Sequence, residues 1–235
     1  MSAEPWTPAE LEQRLRAVGA ARYHNHHPFN KRMHQGQLSR GELQLWVANR
    51  FCYQQAIPVK DSAIMSNCPE LEIRRQWIQR IVDHDGTEQS EGGIEAWLRL
   101  GEAMDVPRDV LLSGKWVLPG VRFAVEAYVT FCRTRPWLDA VAASLTELFA
   151  PTIVSDRLAA ILTHYAWIDP NGLQYFRNRL SQAPRDADHA LGLVKARATT
   201  REAQERAIAA LEFKCDVLWV LLDAVQAGPL PWTAR

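Results

Sequence analysis

No two cysteines in this chain of 235 residues stand at C-x-x-C spacing; Cys52, Cys68, Cys132 and Cys215 lie far apart in amphipathic segments. Such spacing builds neither a disulfide framework nor a zinc site, so each reads as a small core residue. Net charge is also absent, since 27 basic groups balance 27 acidic ones. That argues against a nucleic acid or an anionic membrane held through bulk charge. The apolar run near the C-terminus, Val217 to Leu222, is far too short to span a bilayer. The first residues, MSAEPWTPAE, lack the basic and apolar regions of a signal peptide. No Ser/Gly tract, charge block or fixed-period repeat divides the chain. G-x-G-x-x-G, the Walker loop, G-x-S-x-G and H-E-x-x-H are all missing. No segment alternates apolar and polar residues between turns as a strand does. These absences predict a reduced, soluble, cytoplasmic protein, all-α, with residues 1–235 as one domain.

What is present is apolar residue, 47 % of the chain, enough for a large core. Helix punctuation is equally plentiful. Thr7-Pro8-Ala9-Glu10 is a capping box, followed by Leu11, Leu15 and Val18, with Gly19 placed to end the helix. Tyr23 to Phe29, with three histidines and a proline, predicts a loop or broken turn. Ser39-Arg40-Gly41-Glu42 is a second capping box, and Pro58 is expected to end or kink the helix it starts. Asn67-Cys68-Pro69-Glu70 opens a helix through Ile73, Trp77, Arg80, Ile81 and His84, which the Asp83-His84-Asp85-Gly86 turn closes. Gly92-Gly93 lead into a helix over about Glu95–Met104. Further helical patterns cover about Val121–Arg133, Trp137–Phe149, Arg157–Tyr165, Leu173–Leu180, Asp186–Ala198 and Thr200–Ala227. The expected fold is a compact bundle of roughly seven to nine helices.

Several polar residues occupy places that helical periodicity reserves for the core. Arg50 and Gln54 sit within the stripe Leu43, Val47, Ile57; Lys214 sits within Leu211, Leu218, Leu221, Val225. Arg80 and His84 lie one turn apart, as do Tyr175 and Arg179; Thr146 and Glu147 interrupt Leu145, Leu148 and Phe149, and Tyr128 follows Val121 and Val125. Taken singly, each has a bland explanation, because long basic chains snorkel and tyrosine buries its ring while wetting its hydroxyl. Taken together they are harder to dismiss. An unpaired buried charge costs several kcal/mol, roughly what a domain can spare. Arg50, Arg80, Arg179 and Lys214 on separate inward stripes, with Glu147 the obvious nearby acid, imply an interior cavity with excess positive charge. Such a cavity suits a small ligand bearing several carboxylates. A metal is the weaker reading: Glu-x-x-His pairs are absent, Asp186-Ala187-Asp188-His189 is an isolated match, and His26 and His27 beside His24 diverge on helix or strand.

The segments YHNHHPF, WVANRFCYQQAIPVKD, RIVDHDG, GGIEAWLRLGEA, VLPGVRFAV, SLTELFAP, YFRNRLSQAPRD and FKCDVLW, in this order over roughly residues 8–226, resemble the pyrroloquinoline-quinone synthase family. The resemblance implies a haem-oxygenase-like bundle, a homodimer, and an oxidase using O2 with neither metal nor organic cofactor. The implied substrate is a fully reduced bicyclic quinoline with several carboxylates and an amino-acid side chain, the product pyrroloquinoline quinone, and a further partner a small carrier protein of the same pathway. Substrate contacts carried over from the resemblance fall on Tyr23, His24, Arg50, Gln54, Lys60, Arg80, Tyr128, Thr146, Glu147, Arg157 and Lys214. His84, Tyr175 and Arg179 match the group that handles protons and dioxygen, with Arg80 expected to lower the proton affinity of His84. The family pattern has a histidine in the segment after LFAP where this chain has Val154, so no proton-shuttle role transfers there. The Pro-rich end, residues 228–235, is expected to be a linker to a further domain or a short tail. Two other classes fit the same architecture: a non-catalytic carrier of the quinone, and a thiaminase-like hydrolase, for which Cys132 or Cys215 would have to be the nucleophile.

Overall fold

The computed structural model describes residues 4–230. Eleven α-helices account for most of them: α1 (Pro8–Arg22), α2 (Pro28–His34), α3 (Arg40–Asn67), α4 (Leu71–Asp85), α5 (Gly93–Ala103), α6 (Arg108–Ser113), α7 (Pro119–Thr134), α8 (Trp137–Ala143), α9 (Ala150–His164), α10 (Gln174–Arg197) and α11 (Arg201–Ala227). Short 3-10 turns occupy His24–His26, Ser144–Leu148 and Pro170–Leu173. The only strands among the described residues are β1 (Gly86–Thr87) and β2 (Ser90–Glu91), an antiparallel hairpin pairing Gly86 with Glu91.

Both capping boxes form. Thr7 accepts from the Glu10 amide and Ser39 from that of Glu42, while each glutamate returns a bond to the cap backbone. The all-helical expectation holds, but helix number and ends differ. The segment expected as a loop after Tyr23 folds into a 3-10 turn and α2, because the His27 Nδ1 caps the Phe29 amide. Gly19 does not end α1; it lets the Phe149 ring approach, since a Cβ there would stand 2.0 Å from Phe149 Cζ. α3 runs through Pro58, and α10 runs through Pro184, joining two segments expected to be separate. The expected Trp137–Phe149 helix instead breaks into α8 and a 3-10 turn.

α3 is the central rod, packed against α7, α4 and α5, while α11 packs on α7, α8 and α1. The buried apolar side chains join in one connected cluster that includes Trp46, Trp77, Trp97, Phe29 and Phe176. No single helix among the described residues is long and apolar enough to cross a membrane. Of the expected Pro-rich linker, residues 231–235 lie outside the described residues; Gly228 caps α11 against Leu118.

Candidate active site

The buried face of α4 runs Ile73, Trp77, Arg80, His84. The helix stops where Gly86 takes φ +82°; a Cβ there would meet Gly92 N at 2.6 Å, and one on Gly92 would meet the His84 carbonyl at 2.3 Å. The glycines thus let the hairpin fold back tightly over the end of α4, which holds His84 in place. α10 brings Tyr175 and Arg179 one turn apart to the same spot, and the 3-10 turn after α8 delivers Thr146 and Glu147. A tight turn substituting for helix at the site matches the tendency of 3-10 segments to mark functional places.

These elements surround a partly open cavity with about 630 Å³ of space unfilled by protein atoms, the solvent at its mouth included. Among the expected site residues, Tyr23, His24, Arg50, Gln54, His84, Thr146, Glu147, Arg157, Tyr175 and Arg179 line it. Lys60, Arg80, Tyr128 and Lys214 do not; they are buried in the layer behind the wall. The Lys60 Nζ pairs with Asp61 at 2.6 Å and donates to Ser144 Oγ at 3.1 Å. The Lys214 Nζ donates to the Tyr53 hydroxyl at 2.7 Å and lies 3.5 Å from the Tyr128 ring centroid. Periodicity placed Arg80 and Lys214 inward, and the resemblance alone named Lys60, but neither could say how deep each reaches.

Charge is distributed unevenly around the cavity. At one end Glu147 joins two arginines, accepting from Arg80 Nη1 at 2.6 Å and standing 3.6 Å from Arg179 Nη2. Arg179 also lies 3.4 Å from Asp186, whose backbone carbonyl accepts a second bond from Arg80. Burial alone would raise the Glu147 carboxyl, but Arg80, Arg179 and Lys60 outweigh it and hold it down to about 2. At the other end Arg50, Arg157 and Lys214 have no carboxylate within ion-pair reach among the described residues. Arg50 rests on the Tyr53 ring at 4.0 Å, and Arg157 donates to the neutral Asn30 amide at 3.0 Å. Burial, then Arg50, lowers the Arg157 guanidinium to about 10; burial, then Arg50 and Lys60, takes Lys214 well below the usual lysine range. These are the marks of cations short of anions.

Two acids escaped the sequence reading. Asp61 is fully buried between Lys60 and the Trp77 indole N–H, and Asp186 braces Arg179. Asp186, in sequence only an isolated metal-type match, is buried with Arg179 and Arg185 on its carboxylate and Arg80 on its carbonyl. The tuning of His84 also differs from expectation. Burial first, then Arg179 rather than Arg80, lowers its proton affinity, while the Arg80 carbonyl accepts from Nδ1 at 2.9 Å and pulls the other way. That bond puts the proton of the neutral ring on Nδ1 and leaves Nε2 as the lone-pair nitrogen. The Tyr175 hydroxyl donates to Gln54 Oε1 at 2.9 Å, with its ring edge-on to Trp97. Tyr53, Trp97, Phe176, Ile153, Val154 and Leu218 supply apolar wall, indistinguishable in sequence from ordinary core.

The three neighbouring histidines do not converge. His24 Nδ1 meets Asn30, His27 Nε2 meets Asp223 at 3.0 Å, and His26 sits apart from both contacts. No group of three or more metal-type side chains gathers among the described residues.

Fold and site together define a class: a helical bundle around a cation-rich cavity, with a neutral histidine and paired arginines at one end and unpaired cations at the other. The chain belongs to the TENA/THI-4/PQQC family, whose profile matches residues 12–224. It is 57 % identical over 225 residues to a pyrroloquinoline-quinone synthase of Ectopseudomonas mendocina, covering 96 % of this chain and 90 % of that one. A pyrroloquinoline-quinone synthase of Cronobacter sakazakii is 57 % identical over 219 residues, 93 % of this chain and 87 % of the relative. Among solved structures, a TenA homologue from P. horikoshii superposes with a TM-score of 0.73 at 12 % identity, covering 93 % of this chain and 99 % of that one. A domain with a heme oxygenase-like fold from Shewanella denitrificans gives 0.70 at 14 % identity, with 93 % and 89 % covered. At such identities these two likenesses establish the fold alone, which is haem-oxygenase-like as expected.

Proposed function

We propose that this chain catalyses the last step in forming pyrroloquinoline quinone. The substrate's amine adds to its own quinone to close a ring, and a stepwise eight-electron oxidation follows, with O2 as acceptor and hydrogen peroxide released. One observation carries the reading: Arg50 and Arg157 line the cavity, and Lys214 lies just behind its wall, all without carboxylate partners, in a chain 57 % identical over nearly its whole length to a protein of that name. A polycarboxylate supplies the missing charges.

Arg50 and Arg157 hold the carboxylates, with the charge of Lys214 behind them, and so select one reactive pose. His84, neutral and with its Nε2 lone pair available, removes protons from ring carbons as electrons leave. Tyr175 and Arg179 donate to the oxygen species as it gains charge. Electrons pass from the substrate's own quinoid system to O2, so the proposal includes neither metal nor organic cofactor. A homodimer, a cytoplasmic location and delivery by a small carrier protein belong to the same proposal.

The carrier-only reading predicts tight binding of the quinone without oxygen uptake. The thiaminase-like reading is disfavoured because no cysteine lines the cavity, and burial pushes the Cys132 and Cys215 thiols up to about 11. The deciding experiment gives chelator-treated protein the reduced precursor in an oxygen electrode, with product absorption followed in parallel. Uptake with product formation is expected. Binding without uptake establishes the carrier, and uptake abolished by the chelator removes the cofactor-free mechanism.

A further inference from the structure

Asn30, on α2, is wholly buried between two cavity residues and belongs to none of the charge pairs described above. Its Oδ1 accepts from Arg157 Nη2 at 3.0 Å. Its Nδ2 donates to the His24 carbonyl at 2.7 Å and lies 3.1 Å from His24 Nδ1. The orientation of the amide is overdetermined, because Arg157 can only donate and the His24 carbonyl can only accept. The second Nδ2 proton therefore points to His24 Nδ1, which must be the lone-pair nitrogen, and the proton of the neutral imidazole resides on Nε2. Burial, with Arg50, Arg157 and Lys214 nearby, keeps that ring well below its ordinary proton affinity, so the neutral form is the relevant one.

Asn30 is isosteric with aspartate, and an aspartate here would pair with Arg157 outright. It would also draw a proton onto His24 Nδ1, leaving Nε2 an acceptor. The amide does neither: it fixes both side chains and neutralises nothing. Arg157 moreover keeps a buried Nε–H with no partner, a donor free for an incoming oxygen.

We infer that Asn30 is a positioning residue that holds Arg157 as an uncompensated cation and His24 as an Nε2–H donor, so that these two side chains offer only donors to a carboxylate of the substrate. The inference rests on the proposed function for the identity of the substrate, but the state of His24 can be read without any ligand.

Two measurements test it. In ligand-free protein labelled with ¹⁵N-histidine, His24 is expected to show a protonated Nε2 and a bare Nδ1, and Asn30→Asp to reverse that pattern. A protonated Nδ1 in the unsubstituted protein overturns the inference even should the variant fail to fold. Binding of pyrroloquinoline quinone, followed by quenching of tryptophan fluorescence, is expected to weaken about tenfold or more in Asn30→Asp, as a close charge pair competes with the ligand. KM for the reduced precursor should rise by a similar factor with kcat changed far less, a split that a generally damaged fold would not produce. Affinity in Asn30→Asp within about threefold of the original rejects the inference. Should the unsubstituted protein fail to bind the quinone at all, the proposed function fails, while the histidine spectra still decide the role of Asn30.

Discussion

Glu147→Gln keeps the shape of the side chain and removes the carboxylate that joins Arg80 to Arg179 at the cavity edge. The size of the effect follows from its titration. Holding a carboxyl at about 2 rather than its ordinary 4.5 corresponds to about 3 kcal/mol of folded-state stabilisation. The side chain keeps 19 % exposure toward the cavity, which trims the expectation to about 2–3 kcal/mol. The sign is fixed by the direction of the shift. A carboxyl depressed in the folded state stabilises fully above its unfolded value, and loses that contribution as pH falls from about 4.5 toward 2. Urea unfolding followed by circular dichroism should therefore find Glu147→Gln weaker by about 2–3 kcal/mol at neutral pH, with the gap narrowing at about pH 3. Binding should move the opposite way, since the cavity loses a negative charge and a polycarboxylate gains from the change. A variant as stable as the original at neutral pH, or a gap indifferent to acid, would refute the ion-pair reasoning.

His84→Ala and Arg179→Ala are each expected to retain quinone binding but to lose oxidation by a factor of about 10² or more, as for loss of a general base or an electrostatic stabiliser; full turnover under air in either would reject the assigned roles. Arg179→Gln removes the cation that, after burial, lowers His84, so an NMR titration should find the imidazole shifted up toward its ordinary 6.5, and no movement would exonerate Arg179. Lys214→Met exchanges a buried cation lacking a carboxylate for an apolar chain of similar length, at the cost of the bond to Tyr53. Its unfolding free energy in urea should hold or rise, by up to about 2 kcal/mol, while quinone affinity falls; clear destabilisation would mean that the ammonium helps hold the fold.

Much of the fold was legible because its signals are local. Capping boxes at Thr7 and Ser39 act within one turn of helix, and the inward stripes of α3, α4 and α11 follow from periodicity alone. Pro58 does not end α3, and α10 continues through Pro184, because the local cost of a proline, about 3 kcal/mol, is less than long helices recover by packing on several neighbours at once. The break of α8 into the turn that carries Thr146 and Glu147 was invisible for the related reason that the preference for helix there yields to tertiary contacts with α10 and α11.

The sequence by itself determined that this is a helical bundle with cations turned inward, and motif resemblance pointed to a quinone-forming oxidase. Which cations stay unpaired was decided only by the tertiary structure. Asp186 stands two turns from Arg179 on the same helix, but Glu147 meets Arg80 across 67 residues and Asn30 meets Arg157 across 127. Periodicity tells which face of a helix looks inward. It carries no information about what another helix places opposite, and in a low-dielectric interior that opposite group sets both the charge available to a ligand and the proton a histidine keeps.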